Sequence, residues 1–325
     1  MKPTVSVVIP AFNHAATLTR AVTSALEQTY AGLECLIVDD GSTDHTRRIA
    51  KQFLCTDPRV RYVFQNNSGV AAARNLGVSR ARGQYLQFLD ADDWLAPEKI
   101  EVQLRCAQQF CAPAPVIYSD FEIAWENADG DLYQRQTMIV GDHRKSPLNA
   151  RFANWSMRHG MPLHLNAILF PREILEHHRF DESLKAFEDT LFLITLLENN
   201  VSFHYVPYIG MTYRVHAHQT RSQKNLVARN YLHYLEAIRR INPALLATNP
   251  NMNRLIFEAL RQKDLRQFHS LLSFIRDTEV PITCFGRNRP VGTSFILKKL
   301  YYLRSLMPER LWTRVAGKAL QVTTV

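Results

Sequence analysis

Tyr85-Leu86-Gln87-Phe88-Leu89-Asp90-Ala91-Asp92-Asp93 joins an apolar run to a cluster of carboxylates. A short apolar run of this kind reads as a buried strand, which places the carboxylates where the strand ends. In an open α/β sheet that edge is where ligands bind. Closely spaced Asp oxygens there suit a hard divalent cation that also holds phosphate oxygens. Asp-rich turns also cap helices, and Asp92 or Asp93 would serve for a helix starting near Pro97, a favoured first-turn residue. This segment alone leaves both readings open.

Working outward, short β-branched runs alternate with longer segments of helical period, the signature of successive βαβ units. Strands are predicted over 5–9, 33–38, 60–64 and 84–89, and helices over 17–28, 44–54 and 70–79. The first helix places Leu18, Val22, Ala25 and Leu26 on one face. Strands apolar along their whole length imply burial on both faces, as in a parallel sheet covered by helices. Beyond this unit the pattern predicts a helix over 97–109 and strands over 116–124 and 132–140, joined through the turn-forming Asn127-Ala128-Asp129-Gly130-Asp131. It continues with a helix opening at Glu188-Asp189, strands over 203–206 and 211–215, and helix from about 224. A soft boundary falls near 220–228.

The 325 residues allow one large domain, or a domain with a substantial extension. No apolar stretch approaches the roughly 18 residues of a membrane span, and the run at 5–9 is too short for a secretory signal, so none is expected. Cys35, Cys55, Cys106, Cys111 and Cys284 form neither a regular framework nor a CxxC pair, which favours a reducing, cytoplasmic setting. The net charge of +9 lies in the tail: from Asn225 onward there are 16 Lys and Arg against 6 Asp and Glu. Such asymmetry suggests an anionic partner such as a membrane surface. Nucleic acid is not an expected partner.

Three loops should gather at the strand ends with the Asp cluster. They are Pro10-Ala11-Phe12-Asn13, then Asp39-Asp40-Gly41-Ser42-Thr43-Asp44, then Asn66-Asn67-Ser68-Gly69 leading into Ala73-Arg74-Asn75-Leu76-Gly77. A carboxylate there can accept from an imide N–H or ribose hydroxyls, and arginine offers a fixed fork of donors. Taken in this order and spacing, and closed by Phe88-Leu89-Asp90-Ala91-Asp92-Asp93, these motifs resemble the family 2 glycosyltransferases. They span about the first third of the chain. The resemblance implies a GT-A fold: a Rossmann-like nucleotide-binding α/β sheet, mixed and flanked by helices, continuous with an acceptor-binding half. The expected domain covers 1–223, with a nucleotide-binding half over about 1–110, an acceptor-binding half over about 111–223, and a basic helical region over 224–325.

By the same resemblance Pro10, Ala11, Phe12 and Asn13 wrap the nucleotide, with Phe12 in place of the commoner Tyr. Asp40 is matched to the carboxylate that contacts the base, with Asp39 beside it, and Arg74 to the arginine near the base. Asn67 and Gly69 belong to the same binding surface. Asp92 is the expected metal ligand, and Asp90 the expected ribose or water-mediated contact and a second metal candidate. Phe187-Glu188-Asp189-Thr190-Leu191-Phe192 resembles the family's Glu-Asp motif. An inverting transfer needs a base on the far side of the sugar from the leaving diphosphate. Asp189 is assigned that role, with Glu188 contacting or orienting the acceptor. Tyr213-Arg214-Val215-His216-Ala217-His218 resembles the segment closing many members, which assigns Arg214 to the diphosphate and His216 to the metal, with His218 behind it. The metal would be Mg²⁺ or Mn²⁺ and the donor a nucleotide-sugar, UDP-linked by expectation. The acceptor would be a hydroxyl of a saccharide or lipid-linked molecule in surface polysaccharide or glycoconjugate synthesis.

Trp155, His159, Met161 and His164 are candidate sugar contacts in the acceptor region. In the tail, Ile296, Leu297, Leu300, Leu303 and Met307 repeat at helical spacing beside Lys298, Lys299 and Arg304. Such a stripe packs on a core or a second subunit, or lies on a membrane at the inner face. Two other readings stand against glycosyl transfer. A sugar-nucleotide pyrophosphorylase would open with a Gly-rich loop, which Pro10-Ala11-Phe12-Asn13 is not. A degenerate binding or scaffold subunit would not need Asp90, Asp92 and Asp189 together.

Overall fold

A computed structural model describes residues 4–111, 113–127, 131–141, 163–216 and 224–248. β1 (Val5–Ala11) is buried throughout, and α1 (Leu18–Leu26) covers the sheet with Leu18, Ala21, Val22 and Ala25, the spacing of one helical face. β2 (Leu33–Asp39), α2 (Thr46–Thr56), β3 (Val60–Phe64), α3 (Val70–Arg80) and β4 (Tyr85–Phe88) complete the first half. The second half comprises β5 (Trp94–Leu95), α4 (Lys99–Ala107), β6 (Val116–Glu126), β7 (Leu132–Met138) and β8 (Ile168–Pro171). It continues through α5 (Arg172–His177), α6 (Glu188–Glu198), β9 (Phe203–Val215) and α7 (Lys224–Ile241).

The strands form one sheet in the order β3-β2-β1-β4-β8-β6-β9-β5, with β7 paired to β6 beyond the end of β8. β3, β2, β1 and β4 are mutually parallel. β8 runs against both β4 and β6, while β9 runs with β6. β1, β2, β4, β6 and β9 therefore all point the same way. That direction brings the residues after them, including Asn13, Asp40, Asp90, Glu126 and His216, to one edge. Gly77 fixes how closely α3 lies on the sheet, because a Cβ there would stand 2.3 Å from Val8 Cγ1.

Several expectations change. Asp92 and Asp93 cap no helix at Pro97: β5 intervenes, pairing Trp94 with Thr212 and Leu95 with Met211, and α4 begins only after Glu98. The strands expected over 203–206 and 211–215 are one, because pairing with β6 carries the chain past Pro207 and Gly210 despite register shifts near Asp120. β8 and α5 went unread, since four apolar residues and six mixed ones carry no period. α7 packs into the common core through Tyr231, Tyr234, Leu235 and Ile238. The tail stripe from Ile296 lies outside the described residues. Among the described residues no helix is long and apolar enough to cross a membrane.

One buried cluster behind the ligand edge is polar. Lys99 is 0% exposed; its Nζ donates to Gln87 Oε1 and, at 2.6 Å, to Gln103 Oε1. Those amides donate onward to the carbonyls of Asn166 and Ala167, each at 2.8 Å. Burial pushes the Lys99 ammonium well below its usual range. The unfolded chain then holds a proton that the folded chain gives up, so stability rises with pH up to the unfolded lysine value of about 10.4. Urea titrations of Lys99→Met are expected to flatten that rise as the pH approaches about 10. An unchanged slope would mean that the folded protein keeps this lysine charged.

Candidate active site

The loops after β1 and β2 are built by their own side chains. Asn13 takes a left-handed backbone (φ 57°), and its Oδ1 accepts from Thr43 N at 2.8 Å and Asp44 N at 3.3 Å. Asp39 is fully buried, and its oxygens accept from Ser42 N at 2.8 Å and Tyr62 OH at 2.6 Å. These bonds shape the turn after β2. Asp40 Oδ1 accepts from Gln65 Nε2 at 2.6 Å and Ser68 N at 2.8 Å, while Oδ2 accepts from Gly69 N at 2.8 Å. Gly69, at φ 97°, starts α3 from a conformation that suits glycine, and Gly41 lies so close to Asn67 that a Cβ would meet its N at 2.7 Å. Pro10 and Ala11 lie inside β1 and are buried, so of the first loop Phe12, 44% exposed, and Asn13 are the residues open to a ligand.

The Asp cluster divides its labour. Asp93 is buried, with Oδ1 accepting from Arg214 N at 2.8 Å and Oδ2 from Asn166 Nδ2 at 2.7 Å, so it ties β9 and the turn before β8 to the end of β4. Burial first, then the charges of Asp92 and Asp90, push its carboxyl well above the usual range. Asp92 Oδ2 lies 3.0 Å from His216 Nε2. Burial raises the Asp92 carboxyl, but the hydrogen bond to His216 and the charges of His14 and His216 outweigh it and leave it lowered. Arg214 Nη1 sits 2.8 Å from both oxygens of Glu126, so its charge is held against β6 beside the cluster.

A second acidic group arrives with α6. Phe187 precedes it in a left-handed conformation (φ 68°), a strain of about 1–3 kcal/mol for a non-glycine residue. Its ring packs 5.2 Å from those of both Tyr231 and Tyr234 on α7, which hold it there. Glu188 is buried and bonded to Arg74 Nη1 at 2.7 Å, and Arg74 Nη2 reaches Asp90 Oδ1 at 2.9 Å. Burial and the charge of Asp189 raise the Glu188 carboxyl against the pull of Arg74. Asp189 is partly exposed, and its Oδ1 accepts from Thr190 N at 2.6 Å.

His164 lies among these groups, its ring 4.7 Å from that of Tyr213 and 5.3 Å from that of Phe121. Burial lowers its imidazole more than the charges of Asp90, Asp189 and Asp92 raise it. Trp155, His159, Met161 and His218 lie outside the described residues. Lys185, Phe180 and Asn166 went unread, since no spacing in the sequence announces their contacts with Ser68 O, the Arg74 side chain and the Asp93 carboxylate.

Among the described residues no three His, Cys, Asp or Glu side chains form a ready-made metal cage. Asp92 and His216 nonetheless fit Mg²⁺ or Mn²⁺, which bind through one or two protein ligands when phosphate oxygens and water complete the shell. A mixed, curled α/β sheet with helices on its faces and acidic loops at one strand edge is the GT-A arrangement. The family model described as glycosyl transferase family 2 matches residues 6–178, and the chain belongs to that family. An uncharacterised glycosyltransferase of Rickettsia typhi is 32% identical over 241 residues, covering 73% of this chain and 70% of the relative. Chondroitin synthase of Escherichia coli is 44% identical over 108 residues, 33% of this chain but only 15% of that longer protein. Among solved structures, S. aureus TarS 1–349 in complex with UDP-GlcNAc superposes with a TM-score of 0.54 at 16% identity, over 85% of this chain and 92% of that one. The mannosyltransferase PcManGT of Pyrobaculum calidifontis, with GDP-Man and Mn²⁺, gives 0.52 at 16% identity, over 100% and 88%. Both likenesses are of fold.

Asp93→Asn turns an amide donor toward Arg214 N–H or the Asn166 amide. The expected cost is about 1–3 kcal/mol in urea unfolding, with Mn²⁺ affinity kept. Lost metal binding without lost stability would make Asp93 a ligand instead.

Proposed function

We propose that this protein transfers a glycosyl group, with inversion, from a UDP-sugar to a hydroxyl of a saccharide or lipid-linked acceptor, in a reaction dependent on a divalent cation. The observation that carries this reading is the meeting of the two acidic motifs at one guanidinium, Arg74, which holds Asp90 on one side and Glu188 on the other. Donor-side and acceptor-side carboxylates thus face one reaction space. Asp189, partly exposed beside Glu188, takes the proton of the acceptor hydroxyl. The hydroxyl oxygen then bonds to the anomeric carbon as the bond from that carbon to the diphosphate oxygen breaks. Asp92 and His216 would hold the cation, whose Lewis acidity offsets charge on the departing diphosphate.

The preference for uracil draws on Asp40. A carboxylate has about four acceptor sites, and Gln65, Ser68 and Gly69 occupy three of them. One lone pair on Oδ2 remains, which matches the single imide N–H of uracil and falls short of the two donors on guanine's edge. A saccharide acceptor is supported by the likeness to chondroitin synthase. The basic excess after Asn225 supports action at an anionic membrane surface, where lipid-linked acceptors reside.

A screen reading nucleoside diphosphate release with Mn²⁺ is expected to favour UDP-sugars over GDP-sugars by about tenfold or more; the reverse order would sink the uracil assignment. Asp189→Asn should still bind UDP and Mn²⁺ while transfer falls by about 10²–10⁴. Asp92→Ala should instead weaken Mn²⁺-dependent UDP binding itself. Near-normal turnover in Asp189→Asn would remove it as the base.

A further inference from the structure

By family resemblance Arg74 lies near the base, and its surroundings point to a further task. The side chain is 4% exposed, its ring-facing side lies 5.4 Å over Phe180, and its Nε is buried without a partner among the described residues. Both terminal nitrogens are taken by carboxylates that come from opposite halves of the sheet, Asp90 after β4 and Glu188 at the head of α6. A guanidinium is rigid and planar, so a shift of either carboxylate must move the other or break a bond to the buried Arg74.

Neighbouring contacts brace the same crossing. Asn75, the next residue of α3, donates through Nδ2 to Phe180 O at 2.9 Å and accepts on Oδ1 from Phe180 N at 3.0 Å. Lys185 Nζ donates to Ser68 O at 2.6 Å, in the loop that Asp40 gathers. α3 is thus bonded at its start and along its body to the segment that leads into Glu188 and Asp189. It is a strut between the nucleotide loops and the acid pair.

We infer that Arg74 is a positioning residue that couples the two halves of the site. Occupation of the donor side at Asp90 fixes Glu188, and with it the first turn of α6 that carries Asp189. This inference rests on the glycosyl-transfer reading above. Binding coupled in this way is reciprocal, so a ligand on one side must change the other by the same factor.

Hydrogen–deuterium exchange over 181–198 in the full-length protein, with and without UDP and Mn²⁺, tests the coupling. In the parent protein the nucleotide is expected to slow exchange there about fivefold or more. Arg74→Lys keeps the charge but not the two-pronged fork, and Glu188→Gln keeps the shape but not the charge. Both should lose the slowing when each variant is held at saturating UDP and Mn²⁺, with occupancy confirmed by titration. Slowing that survives in either variant overturns the inference. So does a parent that binds UDP with no change over 181–198, which leaves glycosyl transfer standing. A parent that binds none of UDP, GDP or dTDP removes the functional reading itself, and the inference with it.

Discussion

A guanidinium can be buried only where carboxylates meet it, since an unpaired charge in a protein interior costs several kcal/mol. Arg74 satisfies that condition by drawing one carboxylate from each half of the molecule. The requirement works in both directions. Asp90 and Glu188 would repel each other and the acids beside them without a cation between them, and Arg74 would be intolerable without both. The junction of the two halves is therefore an electrostatic one, laid over the backbone pairing of β4 with β8.

The sheet supplies the geometry that makes such a junction necessary. Because β1, β2, β4, β6 and β9 run in one direction, their following loops crowd a single edge with Asp39, Asp40, Asp90, Asp92 and Asp93. The protein neutralises part of this density itself. Asp39, Asp40 and Asp93 spend oxygens on backbone and amide donors, which stiffens the loops. Asp92, bonded to His216, and Asp189 on α6 keep part of their surface open.

The parallel half was legible because each unit is local: a continuous apolar strand, a turn with Gly or Asp, then a helix with one apolar face. β3 matches its expected span, and α1, α2 and α3 differ from theirs by only a few residues. The second half was legible only in part. β5 spans two residues and exists because β9 offers it a partner, a non-local fact that no window of sequence contains. Motif resemblance located the acids at the edge but not their allegiances. Asp39 and Asp40 are adjacent and alike in sequence, yet the first is packed against Tyr62 and its own turn while the second gathers Gln65, Ser68 and Gly69 from the next loop. Arg74 reads as a donor to a ligand until Glu188, far along the chain, is seen against it.

The left-handed Phe187 has a consequence for the order in which the fold is braced during its own synthesis. Its ring packs against Tyr231 and Tyr234, and Lys185 N donates to Asn230 Oδ1 at 2.8 Å, all three partners lying on a helix translated after the sheet is complete. Chains emerge at roughly 5–20 residues per second and fold N-terminal units first. The contacts that brace Phe187 and Lys185 therefore form only once α7 has been made and docks. The turn that leads into Glu188 and Asp189 is thus among the last parts of the described fold to gain its bracing.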